Sequence, residues 1–332
     1  MKNYFSKASL RGFTKIMKDT FTGFIDDKAL KLSAALSYYT VFSLGPLLLL
    51  LISLVGVFFG RDAVQGKLFG EINGLIGNEA AAQVQEIIKN MELNGDSTTA
   101  VIIGAITLLI GATTIFGEIQ DSINIIWRVK AKPKRGWLKL LKDRLLSSSL
   151  IIALGFLLIV SLVVNGAVQA LSEWLQGYFP DVTVVLFNIV NLIISFIVIM
   201  TLFGVIFKVL PDVKIAWRDV RAGAFFTALL FMVGRLLIGF YITTTGTANS
   251  YGAAGSIIII LVWVYYTAAI MYLGAEFTRA YANYTGLKIR PADYAVVVEQ
   301  VEVEKDRNEV PTGEKKNSRS TERGESAPND PA

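Results

Sequence analysis

The sequence predicts an all-α polytopic membrane protein: six transmembrane helices, both termini cytoplasmic, and an N-terminal amphipathic interfacial helix. Three observations predict it. The 332 residues are 53% hydrophobic and only 18% charged, with a mean hydropathy of +0.52, outside the usual range of soluble domains. Several apolar runs reach the roughly 20 residues that cross a hydrocarbon slab as a helix. Basic residues gather in alternate loops, as orientation in a membrane requires.

Residues 1–28 form a cytoplasmic N-terminal segment. From Ser9 to Asp27 the pattern is amphipathic. Leu10, Phe13, Ile16, Met17, Phe21, Phe24 and Ile25 fall on one side, and Lys7, Arg11, Lys15 and Lys18 fall elsewhere. Such a helix suits the headgroup plane; packing against the rest of the domain is the plainer alternative. The first apolar run starts near Leu32 and is too long for the apolar core of a cleavable signal.

Residues 29–290 carry six spans, at about 32–60, 97–120, 145–172, 182–207, 219–243 and 252–279. The first contains Pro46, which removes a backbone hydrogen bond and calls for a kink. Between spans 1 and 2 lies a polar, mostly acidic segment with Val84, Ile87, Ile88 and Met91 at helical spacing, read as one or two short helices outside the membrane. The second span continues as helix to Trp127. The densest basic run follows: Arg128, Lys130, Lys132, Lys134, Arg135, Lys139, Lys142 and Arg144. Lys208, Lys214, Arg218 and Arg221 mark the loop after span 4, whereas the loops after spans 1, 3 and 5 are acidic or neutral. Every loop thus agrees with cytoplasmic termini. Residues 291–332 are rich in Glu, Lys, Asn, Ser and Pro and read as a disordered charged cytoplasmic tail.

The last span carries an unusual stripe. Tyr265, Ala269, Tyr272, Glu276, Arg279 and Asn283 are spaced 4, 3, 4, 3 and 4, so they share one helix face. Hydrocarbon is a poor environment for that face, which must look at other helices or at water. Depth, counted at about 1.5 Å per helical residue, sorts the other polar residues into two layers. Arg235, Asn165, Asn188 and Asn191 fall in an outer layer, which fits an anionic group such as a carboxylate or phosphate; a buried structural network or a snorkelling arginine is the alternative. Tyr38, Glu118, Asp121, Asn124, Glu276 and Arg279 fall in an inner layer, which fits a proton or cation relay or an inner gate. Salt bridges that anchor helix ends are the alternative there. Small residues at Gly111 and Gly117, Gly234 and Gly239, and Gly252, Gly255 and Ser256 are candidate close-packing points.

Much chemistry is excluded. The chain has no cysteine and no histidine, so it offers no disulfide, no thiolate site and neither the commonest general base nor the commonest transition-metal ligand. It shows no P-loop, nucleophile elbow or metal-ligand spacing. Neither an enzyme nor a cofactor is expected. A magnesium nuclease would have only Glu118 and Asp121 to use.

Four segments carry a resemblance. LSAALSYYTVFSLGPLLLL (Leu32 to Leu50), INIIW (Ile123 to Trp127), LPDVKIAWRDVRAGA (Leu210 to Ala224) and LVWVYYTAAIMYLGAEFTRAY (Leu261 to Tyr281) resemble the YihY/BrkB family of bacterial inner-membrane proteins over roughly residues 10 to 290. The resemblance implies six transmembrane helices and an export or envelope role, including lipid- or virulence-related ones. It carries over no catalytic residues, and an old ribonuclease BN label attached to the family sits badly with a chain lacking histidine. The tail lies outside the shared pattern.

The expected function is a multi-pass plasma-membrane transporter or exporter of an anionic or amphipathic, including lipid-like, substrate. Arg235, Asn165, Asn188, Asn191, Tyr265 and Tyr272 would contact substrate. Glu276, Arg279, Glu118, Tyr38 and Pro46 would gate or couple. The partners expected are the lipid bilayer and the substrate, with no nucleic acid; a homo-oligomer is compatible with the sequence. A membrane scaffold for envelope integrity is the second hypothesis, and a membrane-associated ribonuclease the third.

Overall fold

The computed structural model describes residues 7–76, 78–91, 98–132, 180–245, 255–286 and 289–299. The expected third span and Asn165 lie outside them. Eight described helices run in chain order: α1 (Lys7–Asp26), α2 (Ala29–Phe59), α3 (Arg61–Ile76), α4 (Asn78–Met91), α5 (Thr98–Ile126), α6 (Pro180–Val209), α7 (Trp217–Thr245) and α8 (Gly255–Thr285). Ala29–Phe58, Val185–Val209, Trp217–Tyr241 and Ile257–Thr285 are each long and apolar enough to cross a membrane. Helix α5 covers the expected second span, and the described structure is helical, as hydropathy predicts, with four helices long and apolar enough to cross a membrane.

Close approach sets the packing. Helices α7 and α8 meet through two reciprocal pairs: a Cβ on Gly223 would overlap the Thr278 hydroxyl, and one on Gly274 would overlap that of Thr227. Each threonine hydroxyl donates back to the glycine carbonyl one turn earlier on its own helix, Thr227 to Gly223 and Thr278 to Gly274, both at 2.7 Å. The polar atoms are thereby satisfied while the backbones touch, the usual solution where no hydrophobic force drives helices together. Farther along the same seam, Gly234 accommodates Tyr266 and Ile270. Phe226 stacks on Phe277 at 4.1 Å. Helix α6 joins α7 through Phe196 on Phe225 at 5.4 Å and Phe203 on Phe231 at 5.9 Å.

Helix α2 runs unbroken from Ala29 to Phe59 with Pro46 inside it. Pro46 is buried, and its ring faces Gly111 of α5, so the proline serves a close helix crossing. The polar segment after α2 forms two helices, α3 and α4. Val64, Val84 and Ile88 from these helices join Leu48, Ile52 and Val55 of α2 and Ile260 of α8 in one apolar cluster. The main core gathers Ile123 and Ile126 of α5, Phe207 of α6, Leu210, Val220 of α7 and Tyr272 of α8.

Two short antiparallel ladders were not foreseen. Strand β1 (Val129–Ala131) pairs with β4 (Ala295–Val297), and β2 (Val213–Lys214) pairs with β3 (Arg290–Pro291). Residues 290–291 and 295–297, which composition assigns to the end of the domain and the tail, are thus strands. The Val298 N–H donates to the Arg128 carbonyl and the Lys132 N–H to the Tyr294 carbonyl, both at 2.8 Å. The compact unit runs to Val298. Strands of two or three residues show no readable alternation. The end of the bundle that holds α1 and these strands is called basal below.

Candidate functional site

The basal end contains a buried ion cluster assembled from two chain junctions and helix α8. Asp27 follows α1, and its side chain is 0% exposed. Its Oδ1 lies 2.5 Å from Arg128 Nη2 and its Oδ2 3.2 Å from Arg279 Nη1. Arg279 also pairs with Glu276, one turn earlier on α8, at 2.9 Å, and donates to the Ile126 carbonyl at 2.5 Å. Two carboxylates and two guanidinium groups balance in formal charge. A buried ion survives only when it is paired, and these four pair with one another, although Asp27 Oδ1 and both Glu276 carboxylate oxygens accept no hydrogen bond from a described residue.

Local backbone serves the cluster. Lys28 and Arg128 are the described non-glycine residues with positive φ, at 52° and 58°. The left-handed region costs such residues roughly 1–2 kcal/mol, and both sit at junctions the cluster holds: Lys28 follows Asp27, and Arg128 is itself a member. Strain of this kind persists where surrounding contacts over-determine it. Gly23 of α1 lies against Glu276 and Arg279, where any Cβ would collide with their head groups. The adjacent Trp127 Nε1 donates to the Ala275 carbonyl at 3.0 Å, tying the end of α5 to α8.

A second knot lies nearby. Asp212, buried in the link between α6 and α7, accepts from Gln120 Nε2 (3.2 Å), Asn124 Nδ2 (2.9 Å) and Tyr294 Oη (2.8 Å). Its own N–H donates to Asn124 Oδ1 at 2.9 Å, and its carbonyl accepts from the Ala292 N–H at 2.9 Å. Neutral donors saturate this carboxylate, so the knot anchors α5, the α6–α7 link and residues 289–299 to one another.

The sequence-predicted residues separate. Glu276 and Arg279 come together in the ion cluster. Tyr272 is fully buried one turn before Glu276, with Ser122 and Glu118 of α5 as polar neighbours. Asn124 belongs to the Asp212 knot, and Arg128 turns to Asp27. Tyr38 is 58% exposed and packs with Tyr39 and Phe42 along α2. Tyr265 is half-buried and Asn191 exposed. Asn188 lies on α6, but its side chain, like Asn165, is outside what is described. Arg235 is half-buried on α7 next to Gly234, and no hydrogen bond or ion pair joins it to another described residue. The described residues hold no group of three or more acidic ligands able to bind a metal. Asp27, Gln120 and Asp212 were missed. The only sequence signal for Asp27 was a charge closing an amphipathic helix immediately before an apolar span.

Comparison with known proteins gives a consistent result. The family model described as "Virulence factor BrkB" matches residues 20–295. The UPF0761 membrane protein YihY of Escherichia coli is 32% identical over 215 residues, 62% of this chain and 67% of that protein. UPF0761 membrane proteins of Tolumonas auensis and Pseudoalteromonas atlantica are 28% and 27% identical, over 76% and 74% of this chain and 80% and 78% of theirs. No solved structure matches the chain.

Proposed function

This chain belongs to the BrkB family of membrane proteins, and from that premise we propose that it is a bacterial inner-membrane transporter for an anionic, amphipathic substrate. In this reading six helices span the bilayer and both termini are cytoplasmic, because basic residues flank the N-terminus, the loops after spans 2 and 4, and the end of α8. The protein is not an enzyme. Its partners are the bilayer and the substrate, and nucleic acid plays no part.

The observation that carries the reading is Arg235. A guanidinium in the middle of an apolar helix costs roughly 2.5–3.5 kcal/mol even on the mildest insertion scales. Here it is half-buried beside the α7–α8 seam and bonded to no described residue. An unsatisfied arginine fork is suited to carboxylate or phosphate. The basal ion cluster, by contrast, pairs its charges internally and acts as the gate that keeps α1, α5 and α8 together.

The test is an untargeted comparison of lipids and small anions retained and released by cells lacking the gene. These are complemented with wild type, Arg235→Ala or Arg235→Lys at equal membrane abundance. The expected outcome is a solute class that wild type exports, that Arg235→Ala fails to export and that Arg235→Lys exports partially. A wild-type phenotype rescued equally by all three proteins would favour a scaffold that maintains the envelope without transport.

A further inference from the structure

Helix α1 divides its surface into sectors. Gly12, Ile16, Thr20, Gly23 and Asp27 are buried; Ile16 packs with Phe277 and Ala280 of α8, and Gly12 lies against the Tyr284 hydroxyl. Beside that face runs an apolar ridge that no described element covers: Phe13, Phe21 and Ile25, 53%, 51% and 73% exposed. Met17 and Phe24 are half-buried at its edge. Beyond the ridge, Arg11, Lys15 and Lys18 form an exposed basic arc; the exposed acids Asp19 and Asp26 fall on the far side of that arc, away from the ridge. At 3.6 residues per turn the ridge and the arc adjoin, roughly a quarter turn apart.

We propose that this ridge and arc are a docking surface for anionic phospholipid, with Phe13, Phe21 and Ile25 in the acyl boundary and Arg11, Lys15 and Lys18 on the phosphates. Two observations select lipid as the occupant. Helix α1 ends at Asp26 and α2, which is long and apolar enough to span, starts at Ala29, so the ridge ends at Ile25, about one turn from the start of a candidate span, with Phe21 a turn farther back and Phe13 at its remote end. The basic arc borders the ridge along its length, the arrangement that favours an anionic leaflet over a neutral one. The burial of the opposite face means that α1 docks as part of the folded bundle. The inference rests on the membrane placement of α2 and is independent of transport.

The test uses the full chain in vesicles. Because the protein has no cysteine, Thr14→Cys places a single thiol on α1 in the same angular sector as Phe21 and Ile25, two turns before Phe21. That thiol carries an environment-sensitive fluorophore. In phosphatidylcholine vesicles containing phosphatidylglycerol, the emission should shift to the blue and be quenched by lipids with a nitroxide near the headgroup. In phosphatidylcholine alone both effects should weaken. Each basic residue near an anionic surface contributes about fivefold, so Arg11→Gln/Lys15→Gln/Lys18→Gln should lower the ratio of docked to undocked α1 by about a hundredfold. A wild-type melting temperature for that variant would show that the fold is intact. Three outcomes overturn the proposal: equal quenching in both lipids, a water-like label in both, or a label shielded from aqueous iodide yet untouched by nitroxide lipid. The last would mean that protein covers the ridge. Loss of export in Arg235→Ala with quenching intact separates this surface from the transport reading.

Discussion

Two arginines on adjacent helices, each long and apolar enough to cross a membrane, show two ways of accommodating a cation. Arg279 of α8 is shared among Asp27, Glu276 and the Ile126 carbonyl, and its charge is cancelled within the protein. Arg235 of α7 has no such partner among the described residues and sits half-buried beside close-packed Gly234. The Arg279 site ties the α1–α2 junction and the end of α5 to α8 through ion pairs, while Asp27 Oδ1 and both Glu276 carboxylate oxygens accept no hydrogen bond from a described residue. The Arg235 site makes no described bond across the bundle. The two arginines therefore differ in the number of their described partners.

That contrast can be broken most directly at Asp27. Removing one partner of a buried ion set costs about 3–5 kcal/mol, so Asp27→Ala should lower unfolding stability by that order, read by thermal or denaturant melts in mild detergent. A loss below about 1 kcal/mol would mean that the cluster is not what holds the basal end. Asp212→Asn should cost about 1–3 kcal/mol, because three donors lose a charged acceptor; release of residues 289–299, read by protease cleavage near Tyr294, should accompany it. A double-mutant cycle of Asp27→Asn with Arg128→Gln should give a coupling energy of at least about 1 kcal/mol, within the usual range for contacting charges; additivity would show that the 2.5 Å contact has no energetic content. Arg235→Gln should change stability least, by about 0.5 kcal/mol or less, while abolishing export. A large stability loss there would erase the distinction between the two arginines.

The long apolar helices were legible because hydrophobic length is a local signal, read from a window of some twenty residues. The Glu276–Arg279 pair was legible for the same reason: i, i+3 spacing puts the two side chains together on any helix. Asp27 was not, because its partner Arg279 lies 252 residues away and no periodicity connects them. Asp212 was hidden likewise, since Asn124 and Tyr294 reach it across 88 and 82 residues. Close-packing glycines were partly legible. Gly111 and Gly234 do touch a neighbouring helix, whereas a side chain at Gly117 or Gly239 would meet open space. The reciprocal Gly223–Thr278 and Thr227–Gly274 contacts were overlooked because each half is a common glycine–threonine spacing, and only the matched pair across two helices gives it meaning.

Those reciprocal contacts have a mechanical consequence. Threonine hydroxyls seated on opposing glycine backbones leave no room for α7 and α8 to slide or roll past each other, so the two helices behave as one beam. Arg235 rides on that beam toward one end and Glu276 and Arg279 toward the other. A tilt of the pair therefore displaces both ends at once, so the surroundings of Arg235 and the contact of Arg279 with Asp27 are mechanically linked.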